Sequence, residues 1–255
     1  MKRILIWGGG LLVLLLVGGG IWAFSRHEPR PAATPGPEAE AFARAMMDAV
    51  DIEAWKRTGA VSFRFGGRHQ LLWDRQRGFA RVGWGDHEVD LDVGSKRGIA
   101  RVAGEEVPEA QAAELLQKAY AFFVNDTFWL NPIDKLYDPG VSRGMTTVDG
   151  ERGLLVSYAT GGVTPGDAYL WLKGEDGTPR AWRMWVSVIP IGGARASWEG
   201  WTTLSTGAKV ATRHATGTVT LELEHVEGTA TLAQLVGRDD PFQPLTALLG
   251  HSPAR

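Results

Sequence analysis

Six histidines, at positions 27, 69, 87, 214, 225 and 251, are the side chains best suited to metal binding or proton transfer in this 255-residue chain. No two of them lie two or four residues apart, the spacings at which a strand or a helix presents two imidazoles to one metal ion. The chain also contains no cysteine, which excludes thiolate catalysis, disulfides and cysteine-ligated zinc. We therefore expect no metal ion and no other cofactor.

His69 and Asp74 could form a general acid–base pair. They are five residues apart on a predicted strand, so their side chains should point to opposite faces of the sheet. The sequence contains no phosphate-binding G-x-x-x-x-G-K-[ST] loop and no H-E-x-x-H helix. A hydrolase needs a nucleophile and a base that these spacings do not assemble. The sequence therefore predicts a protein that is not an enzyme.

Polar and aromatic side chains are concentrated in the segment 124–132, Val-Asn-Asp-Thr-Phe-Trp-Leu-Asn-Pro, after a predicted helix. Two interpretations are open. In the first, Asn125 and Asp126 orient the headgroup of a ligand while Phe128 and Trp129 line an apolar cavity. In the second, the two polar residues end the helix and hold the next loop, and the aromatic residues belong to the core.

Tryptophan is the most unusual component of the chain, with 11 residues. Trp182 and Trp185 lie three positions apart on one predicted strand, so their indoles point to opposite faces. The two faces of this strand cannot both be open to solvent, because each carries a tryptophan. Either helices and loops cover the second face, or the sheet forms an apolar groove that contacts a ligand or a membrane.

Two helices and many short strands must position these side chains. Apolar spacing predicts helices over 38–50 and 108–123. Alternating segments separated by Gly-rich turns predict ten or more antiparallel strands, at 61–65, 69–74, 79–84, 88–93, 99–102, 154–159, 168–173, 180–188, 195–201, 209–212 and 219–225. A sheet of that size normally curls, so we expect an α+β fold in which a barrel or half-barrel carries a helix on its concave face.

The N-terminus contains 21 residues without a charge, Ile4–Phe24, long enough to span a bilayer. Length favours an N-terminal membrane anchor over residues 1–25, although Ala23-Phe24-Ser25 keeps a cleaved signal segment open. Residues 26–37 are proline-rich and predict a partly extended linker, and 38–255 a single domain. We expect a single-pass protein of the inner (cytoplasmic) membrane whose domain lies on the periplasmic or extracytoplasmic side.

The charge balance argues against nucleic acid as a partner. The chain has 27 Lys and Arg against 29 Asp and Glu, a formal net charge of −2. No surplus of positive charge is available to hold a phosphate backbone.

Several segments resemble a group of exported bacterial proteins that is an offshoot of the LolA/LolB-like lipoprotein-carrier superfamily. The segments that carry the resemblance are Gly59–Asp74, Phe123–Leu130 with the following Pro132, Lys135-Leu136 and Asp138–Val141, and Tyr169–Leu172. They lie within 38–227. The superfamily also includes mycobacterial lipid-binding lipoproteins and RseB-type envelope-stress regulators.

The resemblance implies a curved antiparallel β half-barrel (LolA-like), helices packed on its concave face, and a hydrophobic cavity that holds acyl chains. Two departures are evident. The carriers are soluble or lipid-anchored, whereas this chain has an apolar segment and a proline-rich linker in place of a lipid-acceptor cysteine. No counterpart of the carriers' ligand-contacting residues is recognisable, so none is carried over.

We therefore expect a membrane-tethered extracytoplasmic domain, non-catalytic, that binds lipid or the acyl chains of a lipoprotein. Its partners would be a lipid or acyl chain and, through the N-terminal helix, the membrane. We expect the cavity to be lined by eight aromatic residues of the predicted strands and helix: Phe63, Phe65, Trp73, Phe122, Phe123, Trp129, Trp171 and Trp182. The alternative is an envelope sensor or scaffolding domain that binds a protein partner.

Overall fold

The computed structural model describes residues 27–217 and 219–250. Its helices are α1 (Pro37–Ala49), α2 (Ile52–Arg57), α3 (Glu109–Leu130), a 3-10 turn (Pro132–Lys135), α4 (Leu232–Val236) and α5 (Gln243–Leu248). Its strands are β1 (Ala60–Phe65), β2 (His69–Asp74), β3 (Phe79–Trp84), β4 (His87–Asp92), β5 (Gly98–Val102), β6 (Glu105–Glu106), β7 (Val141–Val148), β8 (Glu151–Tyr158), β9 (Ala168–Lys173), β10 (Pro179–Trp185), β11 (Ala194–Ser197), β12 (Thr202–Thr203), β13 (Lys209–Val210), β14 (Arg213–Thr216) and β15 (Val219–Thr229).

The strands form two large antiparallel sheets and one short ribbon. The first sheet has the order β14-β15-β1-β2-β3-β4-β5-β6, and the second has the order β11-β10-β9-β8-β7. Strands β12 and β13 pair only with each other. This arrangement confirms the prediction of an α+β fold that is dominated by antiparallel sheet.

The two large sheets meet where β11 approaches β14. The backbone of Glu199 forms an antiparallel bridge with Arg213, and the Glu199 N–H donates to the Arg213 carbonyl at 3.0 Å. Two residues further along each strand, the Ala215 N–H donates to Ser197 Oγ at 2.9 Å. Hydrogen bonding thus continues from one sheet to the other.

Helix α3 packs across the inner faces of both sheets. Its side chains lie against β3, β4 and β5 of the first sheet. Near its other end, the Phe128 ring lies 5.0 Å from Tyr169 and 5.8 Å from Trp182, between ring centroids, in the second sheet. A helix of 22 residues is about 33 Å long, so it can reach both.

The helix is longer than the sequence predicted, because Asn125 and Asp126 do not end it. It continues to Leu130, and the Thr127 hydroxyl donates to the Phe123 carbonyl at 2.6 Å within the helix. The interpretation of the two polar residues as helix-ending was therefore wrong. Both are instead placed on α3, where Asp126 is fully buried.

Part of the outer face of each sheet is also covered. Phe242 and Leu245, from the C-terminal segment, are buried against Phe79 on the first sheet. On the second sheet, Trp185 is buried and its indole N–H donates to the Glu28 carbonyl at 2.8 Å. Of the two alternatives for the opposed tryptophans, cover by helices and loops therefore accounts for Trp185.

The proline-rich segment predicted as a linker is extended and docked on the second sheet from His27 onward. Glu28 accepts a hydrogen bond from Arg183 at 2.8 Å. Thr34 pairs with Met145 of β7 through two backbone hydrogen bonds of 2.9 and 2.8 Å. The folded structure therefore begins before residue 38, because these contacts fix the segment without secondary structure of its own.

Within residues 27–217 and 219–250, no helix is both long enough and apolar enough to cross a bilayer. The predicted anchor over 1–25 lies outside the described residues.

Gly98 of β5 allows both the neighbouring strand β4 and helix α3 to pack closely against it. A Cβ at this position would overlap the Asp90 carbonyl and lie 2.7 Å from Leu116 Cδ2 of α3. We expect Gly98→Ala to lower the free energy of unfolding by about 1–3 kcal/mol through overpacking, measured by urea unfolding. Gly83→Ala is the matched control on β3, where a Cβ would meet nothing nearer than 3.8 Å, and an equal loss there would contradict this explanation.

Candidate functional site

The eight side chains expected to line a cavity all belong to one hydrophobic cluster between α3 and the sheets. These eight side chains are Phe63, Phe65, Trp73, Phe122, Phe123, Trp129, Trp171 and Trp182. They divide into two groups along α3. Trp73 packs edge-on against Phe123 at 5.2 Å over the first sheet, and Trp129 packs against Trp182 at 4.8 Å over the second.

A tryptophan cluster lies under the C-terminal end of α3, and we define it as Trp129, Trp171, Trp182, Trp198 and His214. Trp182 lies 4.9 Å from Trp171 and 4.9 Å from Trp198, between ring centroids. The His214 ring is 4.4 Å from Trp198 and 5.1 Å from Trp129. Trp198 and His214 were not predicted as site residues, although the alternation of β11 and β14 places both on the inner face.

The tryptophan cluster contains polar atoms without hydrogen-bond partners. The indole N–H groups of Trp171, Trp182 and Trp198 and the Nε2 atom of His214 are buried and unpaired among the described residues. Buried tryptophan N–H groups usually have a partner, and indole can only donate. The cluster therefore has unused donors within an otherwise apolar environment, which suits a ligand that brings oxygen acceptors on an apolar body.

His214 is the titratable group of this cluster. Its Nδ1 lies 3.1 Å from the Ser197 carbonyl, so Nδ1 carries the proton and Nε2 is the bare nitrogen. Burial lowers the pKa of His214 to about 4 from the usual 6.5, and the backbone carbonyl of Ser197 opposes this only partly. His214 is therefore neutral at pH 7.

This shift predicts acid sensitivity. Between about pH 6.5 and pH 4 the unfolded chain binds a proton at His214 that the folded chain does not, so stability is lost as pH falls through that window. We expect His214 to account for about 2–3 kcal/mol of the loss between pH 7.5 and 4.5. Urea unfolding at both pH values should show a smaller loss in His214→Gln. His87→Gln is the control, and an unchanged loss in His214→Gln would contradict the assignment.

A second polar group, which we call the α3 latch, joins α3 to the first sheet through His69, Asn125 and Asp126. His69 Nδ1 lies 2.7 Å from Asp126 Oδ2, and the Asn125 side-chain amide donates to Asp126 Oδ1 at 2.9 Å. The His69 ring also stacks on Phe122 with 3.8 Å between centroids. The latch therefore fixes α3 on the sheet by one polar contact within an aromatic environment.

His69 and Asp74 do not pair, as expected from their positions on opposite faces of β2. Asp74 instead binds Arg77, whose Nε donates to Asp74 Oδ2 at 2.6 Å. Asp126 was identified as polar, but its partner was missed because the two residues lie 57 positions apart. A usable signal was present: His69 alternates with Leu71 on the inner face, and Asp126 follows Phe122 by one helical turn.

Burial has the largest influence on the pKa of Asp126. It raises the pKa of this carboxyl above the usual 3.8, while the hydrogen bond from Asn125 and the His69 ring lower it. Since the folded state holds the proton more tightly than the unfolded state, ionisation of Asp126 costs stability as pH rises above 3.8. The latch is therefore specific but only moderately stabilising, as expected for a buried ionisable pair.

In the described part of the chain, aromatic side chains pack against one another beneath α3, as the Trp73–Phe123 and Trp129–Trp182 contacts show. Two surface depressions, of about 360 and 410 Å³, lie elsewhere. The first is bordered by Ser62, Arg81 and Leu235 on the outer face, and the second by Arg68 and Asp86. A ligand under α3 would therefore require the helix to move.

Comparison with known proteins gives structural similarity but no match in sequence. No protein-family model matches the chain, and no curated protein matches it in sequence. Among solved structures, a DUF1329 family protein from Desulfovibrio piger aligns with 82% of this chain and 98% of its own, at 10% identity and a TM-score of 0.39. A similarity of this size carries no conclusion about function.

Proposed function

We propose that this chain is a membrane-tethered, extracytoplasmic domain that binds the acyl chain of a lipid or lipoprotein beneath α3, without covalent catalysis. The observation that carries the proposal is the tryptophan cluster. Its rings are buried under one helix, and the N–H groups of Trp171, Trp182 and Trp198 are unpaired among the described residues.

The chemistry of the cluster selects the ligand class. Aromatic rings favour an apolar chain, and indole N–H groups favour an oxygen acceptor such as a carboxylate or an ester. An acyl chain carries both. Burial of a dozen methylenes gives a gross gain of roughly 10 kcal/mol, which can offset the displacement of packed side chains.

Helix α3 is suited to act as a movable cover. Between Ala119 and Leu130 its only charged residue is Asp126, so this half of the helix can slide over apolar surfaces once the latch opens. Release of the latch returns His69 and Asp126 to water, and that solvation recovers part of the contact energy. The closed structure is therefore compatible with uptake by helix displacement.

The resemblance to LolA/LolB-like carriers supports the same function. We propose that the two joined sheets form the curved half-barrel of that superfamily, with α3 on the concave face. The predicted anchor and the docked segment from His27 onward would keep the domain at the membrane instead of letting it shuttle.

Photolabelling in membranes tests the proposal on the full chain. Membranes containing the protein are incubated with a diazirine derivative of stearic acid, irradiated, digested and analysed by peptide mass spectrometry. We expect adducts on peptides from 119–130 and 168–185, which contain the cover and three tryptophans of the cluster, Trp129, Trp171 and Trp182. Adducts confined to residues 1–26 would show only membrane contact and would overturn the proposal.

The filled interior favours a second candidate function, a sensor or scaffold that binds a protein partner through its folded surface. Recovery of one stoichiometric protein with a lipid-free preparation, together with the absence of internal photoadducts, would support this candidate over acyl-chain binding.

A further inference from the structure

Two loops that carry a single charged residue lie side by side at one end of the second sheet, and we call them the rim loops: residues 159–167 and 186–193. They connect β8 to β9 and β10 to β11. Trp185 at the end of β10 pairs with Ala168 at the start of β9, so both loops leave the sheet at the same end. Asp167 is their only charged residue, and it is buried.

Asp167 fixes the rim loops to each other. Its Oδ1 accepts the Ser187 backbone N–H at 2.9 Å, and its Oδ2 accepts the Thr164 hydroxyl at 2.6 Å. The single carboxylate is thus used internally and presents no charge to the surroundings. Each loop therefore holds a fixed position relative to the other.

The tips of the rim loops expose apolar side chains. Val188 is 73% exposed and Val163 is 47% exposed, and Pro165 and Pro190 beside them are also exposed. A pair of loop tips without charge, rigidly held and apolar, is unusual for a surface that meets only water.

The chain enters the described structure at the same place. The Glu28 N–H donates to the Gly192 carbonyl at 3.0 Å, and the Gly192 N–H donates to His27 Nδ1 at 3.0 Å. Phe24, the last residue of the uncharged segment, is joined to His27 by three peptide steps, which span at most about 11 Å. A membrane that holds the uncharged segment would therefore lie beside the rim loops.

The geometry points to the rim loops as a membrane-docking surface, in which Val163 and Val188 insert into the lipid interface next to the tether. This inference rests on the membrane tether of the proposed function. It also gives an acyl chain a short route, because Gly162 of the first rim loop lies against Val124 of α3, with 3.6 Å from Val124 Cγ1 to the position of a Cβ on the glycine. Docking would place the edge of the cover at the bilayer surface.

The absence of cysteine from the sequence makes a site-specific test simple. Full chains carrying Val163→Cys or Val188→Cys are labelled with the polarity-sensitive dye NBD and reconstituted in phosphatidylcholine vesicles with or without a lipid-borne nitroxide quencher. Val236→Cys is the matched control, a partly exposed valine on α4 at the outer face of the first sheet. Flotation of the vesicles reports whether the chain is tethered.

We expect all three variants to float with the vesicles. At positions 163 and 188, the NBD emission should be blue-shifted and brighter, and the nitroxide lipid should quench it. At position 236, none of these changes is expected. Flotation with unquenched labels at both positions would overturn the docking surface and leave the tether intact. Equal quenching at position 236 would show general proximity to lipid and would also overturn it. Failure of the variants to float would contradict the membrane tether, and also the docking surface that depends on it.

Discussion

Replacing Asp126 with alanine is expected to lower the free energy of unfolding by about 2–3 kcal/mol and, at the same time, to strengthen acyl-chain binding. The stability loss follows because His69 and Asn125 lose their common partner, and the Asp126 side chain is fully buried. The gain in binding follows because the latch holds α3 closed. If the free energy needed to displace α3 falls by about 2 kcal/mol, the fraction of molecules with α3 displaced rises about 30-fold.

The measurement combines urea unfolding of the full chain with the probe concentration that gives half-maximal photolabelling of 119–130. That concentration should fall in Asp126→Ala, whereas a merely structural contact would lower stability and leave labelling unchanged or weaker. Asp126→Asn keeps the shape and an acceptor for His69 and should resemble the unaltered chain. Asp138→Ala, an exposed carboxylate paired with Lys135 at 3.5 Å, is the surface control.

Trp182 should give the largest stability effect in the molecule. It is fully buried and contacts Trp129, Trp171 and Trp198 with 4.8 to 4.9 Å between ring centroids. Removal of the ring in Trp182→Ala is expected to cost about 3–5 kcal/mol of unfolding free energy. Urea unfolding monitored by far-ultraviolet circular dichroism would measure this loss.

Trp182→Phe separates packing from hydrogen bonding at the same position. It keeps an aromatic ring and removes an N–H that has no partner among the described residues, so the stability cost should be only about 1–2 kcal/mol. If that N–H binds the ligand oxygen, photolabelling should weaken about 5- to 10-fold.

Trp55→Phe is the matched control for this variant. Trp55 is also buried with an unpaired N–H among the described residues, and it lies outside the tryptophan cluster. Its replacement should cost similar stability without changing photolabelling. Equal weakening in both variants would mean that the N–H of Trp182 has no special role.

Much of the sheet could be predicted because alternation records which face is buried. Strands β2 and β3 have the predicted bounds, His69–Asp74 and Phe79–Trp84. Strand β7 was missed, since its half-buried Arg143 interrupts the apolar alternation. The structure explains this residue by its hydrogen bond of 3.1 Å to Glu40 of α1, a contact that local sequence does not reveal.

The aromatic residues of the candidate site could be predicted from the sequence, but the pairs of side chains that contact each other could not. Eight aromatic residues were predicted to line a cavity, and the structure gathers them in one hydrophobic cluster. The α3 latch was not predictable, because the contact between Asp126 and His69 joins residues that lie 57 positions apart in the sequence. Without that partner an Asn-Asp pair is typical of a helix end, which is why the length of α3 was underestimated.

The central claim is that α3 moves away from the sheet when an acyl chain binds. Spin labels on Gln117→Cys of α3 and Gln70→Cys of β2, both exposed positions in a chain without cysteine, allow the distance between helix and sheet to be measured by pulsed electron paramagnetic resonance. With the full chain in lipid nanodiscs, we predict one narrow distance without ligand and a longer, broader distribution after addition of oleic acid. Saturating oleic acid that leaves the distance unchanged would contradict the account.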